Sequence, residues 1–465
     1  MSRGCCFKCL WNIFCCGCCR KTSLQIIDET TRLLPKRDAT RNLIEKTQIN
    51  CFGAVPFNSR QINGKVIKIV CGLSHCLLLI KENNVKHLYG FGLNDEGQLG
   101  LEIQNASQDN QDTYFRINIP QNIIPNQNYE IIDIAAGDNF SLILIRDNGG
   151  NNNNNILNEN NMIMNENIQN QNISNYHLIK FGIDENEKYR FGILPKKIYI
   201  KEIHLPENNM KIKHIYAFGK RIIIQKTSID NKEFLYMGGM DFSGFELDEF
   251  QLLKFDEESF LDKKIKNLCL GTNHCIILDE ENNLYGIGDN TYGELGGTKV
   301  NVDSFSLLDK EILSKIWFQN ADKTKFSNKN EFQIKKIVCG SRHTLILSSD
   351  GKIFCLGDNS ENQCYGLETR LQKPIKLELG IEKEIVDVYS GYTHNLIILK
   401  NGDKEEILTW GDASMGKLGY NEDHLSQSNP KEILALKEKC VNYVCLGFQM
   451  SVIVTGSNKR ALFKQ

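Results

Sequence analysis

The chain has 465 residues, 41% hydrophobic and 24% charged, with a formal net charge of −2, which is ample length for a large core. The charge is uneven: residues 1–50 carry nine Lys and Arg against four Asp and Glu, a surplus of +5 that leaves −7 on the remainder. A body of that sign lacks the basic face that phosphate neutralisation requires, which excludes nucleic acid as its partner. The sequence also holds no Walker loop, nucleophile elbow, kinase signature or paired metal motif, so ordinary enzyme chemistry has no support and no cofactor or metal is expected.

The first 48 residues read as a disordered tail. Its start, MSRGCCFKCLWNIFCCGCCRK (1–21), alternates Cys5, Cys6, Cys9, Cys15, Cys16, Cys18 and Cys19 with Phe7, Leu10, Trp11, Ile13 and Phe14, flanked by Arg3, Lys8, Arg20 and Lys21. The apolar stretch is shorter than the roughly 20 residues that span a bilayer, and no small-residue cleavage site follows as in a secretory signal. Three readings compete. S-acylation would lay the segment on a membrane, with two or more chains giving stable anchoring and the basic residues facing anionic lipid. Zinc could use Cys6-x-x-Cys9 and Cys15-x-x-Cys18, although the five residues between these pairs are unlike a folded knuckle. Inert low-complexity sequence is the third. Acylation is favoured; Ser2 removes the myristoylation signal, so palmitoyl-type chains would anchor alone. Beyond it, DETTRLLP (28–35) places Glu29 four residues before Leu33 and Leu34, the acidic dileucine pattern read by trafficking adaptors: a carboxylate for a basic patch and two leucines for an apolar pocket. The address expected is the cytosolic face of an endolysosomal or vacuolar membrane.

From residue 49 the chain repeats at a spacing of about fifty residues, the mark of a stack or ring of small sheets. INCFGAVPFNSRQI (49–62) reads as half a unit. Unit 1 follows, with Gly72 and His75 in IKIVCGLSHCLLLI and then LYGFGLNDEGQLG. Unit 2 (131–145) keeps Gly137 but has Phe140 in the histidine slot, and an Asn-rich insert over 148–175 reads as a disordered loop. Unit 3 (212–247) keeps only the strand pattern. Unit 4 has Gly271 and His274, and a second insert over 298–333 contains SLLDKEILSKIWF (306–318), with helical spacing that suits packing on the rim. Gly340 and His343 mark unit 5, Gly391 and His394 unit 6. Unit 7 (441–454) has Gly447 and Met450 and lacks its second half, which 49–62 would supply. Pairing of the two chain ends would close a ring and remove free sheet edges. The runs of Ile, Val, Leu, Tyr and Cys between Gly, Asn and Asp turns are β-strands. An all-β seven-bladed propeller over 49–458 is therefore expected, with 459–465 as a C-terminal tail.

Cys71, Cys269, Cys339 and Cys445 precede the unit glycines and read as small buried hydrophobes in a reduced protein. The four histidines read as structural, each tying its own turn or strand by ring hydrogen bonds.

Units with a CGxxH core, a GxG strand and a GQLG or GELG ending resemble the regulator of chromosome condensation repeat family, strongly in units 1, 4, 5 and 6 and weakly in the others. The resemblance implies a seven-bladed propeller, which serves in some members as a guanine nucleotide exchange factor for the GTPase Ran and in others as a protein-interaction platform. Exchange factors of this family use an inserted wedge; FGIDENEKYRFG (181–192) is longer between its glycines than FGLNDEGQLG (91–100), but matches no wedge residue by residue, so no catalytic position is carried over. The propeller accounts for the chain, so no ligase or kinase domain is expected. The sequence thus favours a membrane-tethered interaction scaffold whose partner is a small GTPase or a trafficking adaptor, with guanine nucleotide exchange as the alternative.

Overall fold

Seven four-stranded antiparallel sheets make up the computed structural model, which describes residues 47–456 apart from 55–59, 101–113, 122, 125–127, 148–175, 183–199, 206–209, 257–262, 298–300, 309–332, 365, 367, 379–382, 403 and 421–425. The tail with its cysteines and dileucine motif, the Asn-rich insert and the tip of the 181–192 hairpin fall outside the described residues. Among the described residues no helix is long and apolar enough to cross a membrane.

Six blades are consecutive in sequence, with inner strands Lys65–Cys71, Tyr129–Ala136, Lys211–Phe218, Ile265–Leu270, Ile334–Cys339 and Glu384–Ser390. The seventh is assembled from both ends of the fold. Its inner strands Cys440–Leu446 and Met450–Gly456 are joined by Thr47–Gly53, and Arg60–Ile62 lies outermost. Cys51 stands opposite Val452 and Phe52 opposite Ser451, so the ring closes by strand exchange as the half-units predict.

The second strand of each blade is an unbroken apolar run because it is buried on both faces. In blade 1, Leu77 and Leu79 point into the cluster shared with blade 2, while Cys76, Leu78 and Ile80 point into the cluster shared with blade 7. The same division recurs around the ring and gives one apolar cluster per seam. Every inner strand also shifts register once near its start, at Val66/Lys68, Ile131/Asp133, Ile212/His214, Ile265/Asn267, Ile334/Lys336, Ile385/Asp387 and Val441/Tyr443. A bulge re-aims one side chain, and here it turns polar groups toward the next blade. Lys68 meets Asp133 at 2.5 Å, Lys336 meets Asp387 at 3.0 Å, and Asn267 accepts the Ile337 amide at 2.9 Å.

Two expectations change. Residues 301–307, read as the opening of an insert, form the outer strand of blade 4, and Phe305 is buried against Phe255 with ring centroids 4.7 Å apart. The cysteines are not all free: Cys269 pairs with Cys339 between blades 4 and 5, Cα atoms 5.5 Å apart, and Cys355 pairs with Cys364 inside blade 5, 5.6 Å apart. Inner strands of neighbouring blades converge at the axis, bringing together positions that lie about seventy residues apart in sequence.

Ile49 is fully buried in the cluster between blades 7 and 1. Ile49→Ala should cost about 2–5 kcal/mol, read as a lower urea midpoint with an unchanged slope. An unchanged midpoint would mean that the N-terminal strand does not close the ring.

Candidate functional site

In blades 1, 4, 5 and 6 the turn between the first and second strands carries the Gly-x-x-His motif. Its backbone is fixed by the glycine amide, which donates to the carbonyl of the fourth residue: Gly72 to His75, Gly271 to His274, Gly340 to His343 and Gly391 to His394, at 2.8–2.9 Å. The imidazole then folds back over the glycine. A Cβ at Gly340 would lie 2.0 Å from His343 Cε1, and at the other three glycines the corresponding separation is 2.1–2.6 Å. The glycine and histidine are therefore one steric unit.

The rings do not tie their own turns, as the sequence suggests, but reach into the next blade. Nε2 of His75 is 3.0 Å from Ser141 Oγ, His274 is 3.2 Å from Thr344 Oγ1, His343 is 2.9 Å from Asn395 Oδ1 and His394 is 2.8 Å from Ser451 Oγ. Each partner occupies one position, the residue after the histidine slot. Each in turn donates to a carbonyl in the glycine-rich turn of the preceding blade: Ser141 to Gln98, Thr344 to Glu294, Asn395 to Gln363 and Ser451 to Lys417, at 2.7–2.9 Å. Since these donors are already committed, the histidine must supply the proton on Nε2. Nδ1 of His75, His343 and His394 is buried without a partner among the described residues. A proton there would find no acceptor, and burial lowers the four histidines to about 4, 3, 4 and 3 in chain order.

The three blades without the histidine complete the rule. Phe140 fills the slot in blade 2 and Met450 in blade 7, with the same glycine-to-slot backbone bond. In blade 3 the slot belongs to Arg221, which stands opposite Gly239 as the histidines stand opposite their own third-strand glycines. Arg221 is fully buried, donates to the carbonyls of Thr272 and Asp241, and is lowered to about 10 by burial. The residues facing these slots are Ile222, Cys76 and Cys275, none with a hydroxyl or amide. Sequence reading missed Arg221 because its turn is one residue shorter than the motif. The pairing rule itself was present in the sequence: polar after the slot only where the preceding blade has histidine.

These turns meet around the axis on one face, linked by backbone bonds such as Asp138 to Gly219, Thr272 to Ser341 and Ser341 to Tyr392, at 2.8–2.9 Å. Tyr392 of blade 6 crosses to donate to Asp138 of blade 2, stacks on Phe218 of blade 3 at 4.4 Å and meets Phe448 of blade 7 edge-on at 5.3 Å. The glycine-rich turns open on this face as well. Leu93, Phe245, Met415 and Phe448 stand exposed on it. Beside them the Tyr292 ring carries Arg342 and Arg370 at 5.1 and 4.8 Å, and burial raises Glu294 to about 7. Exposed aromatics and arginines on loops held by a rigid ring are suited to binding a protein. Among the described residues no His, Cys, Asp and Glu grouping could hold a metal ion.

The seam histidines make stability depend on pH. Their folded values lie below the ordinary 6.5, so the unfolded chain binds more protons at acid pH. Their contribution is complete above about pH 6.5 and is lost as pH falls toward 4. The blade 2 arrangement, Phe140 facing Ile222, suggests the test. His343→Phe alone should lose roughly 1–3 kcal/mol, because Asn395 loses its donor. Adding Asn395→Ile should recover part of that loss and flatten the acid limb of a chemical-denaturation series between pH 7 and 5. Strictly additive effects would show that the two side chains are not coupled.

Comparison with known proteins agrees with this architecture. The family model described as Regulator of chromosome condensation (RCC1) repeat matches residues 87–144, 265–294 and 334–363. A guanine nucleotide exchange factor of Saccharomyces cerevisiae, SRM1, is 24% identical over 87% of this chain and 81% of its own length. The probable E3 ubiquitin-protein ligase HERC4 of Rattus norvegicus is 26% identical over 48% of this chain, which spans 23% of that relative's length. Among solved structures, human WBSCR16 superposes with a TM-score of 0.62 over 90% of this chain and all of its own, at 15% identity. Prp20p of Saccharomyces cerevisiae, whose structure was reported with its binding properties to Gsp1p and histones, gives 0.61 over 89% and 92%, at 18% identity. With matched repeats in three stretches and a ring closed by pairing of its two ends, the chain carries regulator of chromosome condensation repeats on a seven-bladed propeller.

Proposed function

We propose that the propeller is a protein-binding platform directed at a small GTPase, and that an acylated tail holds it on the cytosolic face of an endolysosomal or vacuolar membrane. The observation that carries the GTPase reading is the likeness to SRM1, an exchange factor by name, which runs through most of both chains. The X-linked retinitis pigmentosa GTPase regulator of Homo sapiens, 27% identical over 42% of this chain, points the same way. The surface offered is the face that carries the histidine turns, with Phe448, Met415 and the Tyr292 arginines. The membrane reading has a separate support: Cys5, Cys6, Cys9, Cys15, Cys16, Cys18 and Cys19 among aromatic and basic residues, ahead of Glu29, Leu33 and Leu34. The opposite charges of tail and body suit it, since a +5 segment is drawn to anionic lipid and a −7 body is not.

A nucleotide-release assay across a panel of purified small GTPases tests the first reading. Release from one of them should rise at least tenfold at micromolar propeller, and Phe448→Ala should reduce the effect. If no GTPase is bound or accelerated, the partner is of another class. The tail is tested apart from this: with all seven tail cysteines changed to serine, the protein should leave the membrane pellet for the supernatant. Continued pelleting would remove acylation as the anchor.

A further inference from the structure

The inter-blade pair Cys269–Cys339 has a second copy. Cys269 stands two residues before Gly271 of blade 4, and Cys339 one residue before Gly340 of blade 5. One other seam repeats those offsets with cysteine at both places. Cys445 stands two residues before Gly447 of blade 7, and Cys71 one residue before Gly72 of blade 1. Both are free cysteines, and their seam is the one that joins the last blade to the first. The Cys71 thiol is aimed across it, donating to the Cys445 carbonyl at 3.8 Å, and the two thiols lie within hydrogen-bonding reach of each other. From this equivalence with the blade 4–5 pair, we propose that Cys71 and Cys445 are a disulfide-forming site whose oxidation locks the closing seam of the ring covalently.

Two further thiols share the cluster, Cys76 and Cys51. Cys76 faces Cys71 in the strand ladder and its thiol is also within hydrogen-bonding reach of Cys71, but it is fully buried and contacts the Leu77 carbonyl of its own strand as well. Cys71 and Cys445 are each only partly buried, as is Cys51, so an oxidant reaches them before Cys76; the offsets that match the blade 4–5 pair belong to Cys71 and Cys445 and not to Cys51. In blade 5 the place of Cys76 is taken by Thr344, so Cys339 meets no competing thiol there.

The oxidant is a low-molecular-weight disulfide. One thiolate of the pair attacks a sulfur of it, forming a mixed disulfide and releasing one thiol. The second cysteine then displaces the other half. Two electrons pass to the small disulfide, which leaves as two thiols carrying the two protons. Burial holds the Cys71 thiol well above its ordinary range, and the contact with Cys71 followed by burial does the same for Cys445. Exchange is accordingly slow near neutrality and quickens as pH rises.

The test uses the full unsubstituted chain, incubated with oxidised or reduced glutathione, alkylated, digested and mapped by mass spectrometry. The oxidised sample should yield a cross-linked peptide joining Cys71 to Cys445, absent after reduction, and the oxidised protein should melt roughly 5 °C higher. Cys445→Ser should abolish both changes, while Cys76→Ser should keep them. The mapping needs no variant to fold. Recovery of Cys445 in alkylated form, or of Cys71 joined to Cys76 or Cys51, would overturn the proposal.

Discussion

Seven sheets can share one axis only if their inner strands approach closely there, and the fold meets this constraint with a glycine beneath a side chain that leans into the next blade. The glycine removes the Cβ that would strike the ring, as at Gly72, Gly271, Gly340 and Gly391. The carbonyl of the next blade's glycine crowds the same space: Gly340 O lies 2.6 Å from a Cβ built on Gly271, and Gly391 O 2.8 Å from one built on Gly340. Each motif is thus packed from two directions, by its own histidine and by its neighbour. A side chain at one turn would displace the next, so the repeat behaves as a circle of mutually dependent contacts, in contrast to an open array in which end units are free.

The polar half of this device has a chemical consequence. A buried imidazole with one nitrogen in a bond and the other without a partner is tolerable only while neutral. The hydroxyl or amide across the seam fixes which nitrogen holds the proton, because its own donor is spent on a carbonyl of the glycine-rich turn. That turn is itself ordered from within: Asn94, Asn290 and Asn359 each accept the amide five residues on at 2.8 Å, and Gln98 and Gln363 accept amides at 2.8–2.9 Å. Order therefore passes from the turn of one blade, through a hydroxyl or amide of the next, back to the histidine of the first. The loops on this face are held by that chain, which is the kind of rigid support a binding surface requires.

The fold was legible because its signals are local and repeated. Gly-x-x-His named four blades outright, and the strand patterns around Gly137 and Gly447 gave two more. Blade 3 was legible as strands, although its slot was not: Arg221 follows Gly219 by two residues, and a buried arginine is not expected from sequence alone. What a single strand cannot reveal is which neighbour its side chains meet. Hence the histidines were assigned to their own turns, and the cysteines at 269 and 339 were grouped by their nearness to glycine when the decisive fact is that their offsets differ by one. Residues 301–307 were hidden for another reason. Val302 and Phe305 do not alternate cleanly, and the apolar run after them reads as helix. The proposed binding surface was the least legible part, since Phe448, Met415 and Tyr292 occupy turns with no shared motif and share one face only through topology.

The closing seam differs in kind from the four histidine seams. Met450 offers no hydrogen bond from its slot, and Cys76 opposite asks for none. What holds blades 7 and 1 together is apolar packing of Ile49, Val452 and Val454 on Val66, Leu78 and Phe91, with Ser74 Oγ donating to Gln449 at 2.5 Å and the Gln449 amide donating to the Leu73 carbonyl at 3.1 Å. Blade 7 is also the blade whose integrity depends on two segments some four hundred residues apart, Asn50 and Ile453 being bonded across that separation at 3.1 Å. Bringing such ends together costs loop-closure entropy that no local contact offsets until the strand is in place. The closing seam therefore lacks the histidine latch of the four histidine seams, and the partly buried thiols of Cys71 and Cys445 sit across it. A covalent bond there would act mainly on the open chain, by removing the freedom of the ends to separate, and so would stabilise the ring at the seam where its two ends meet.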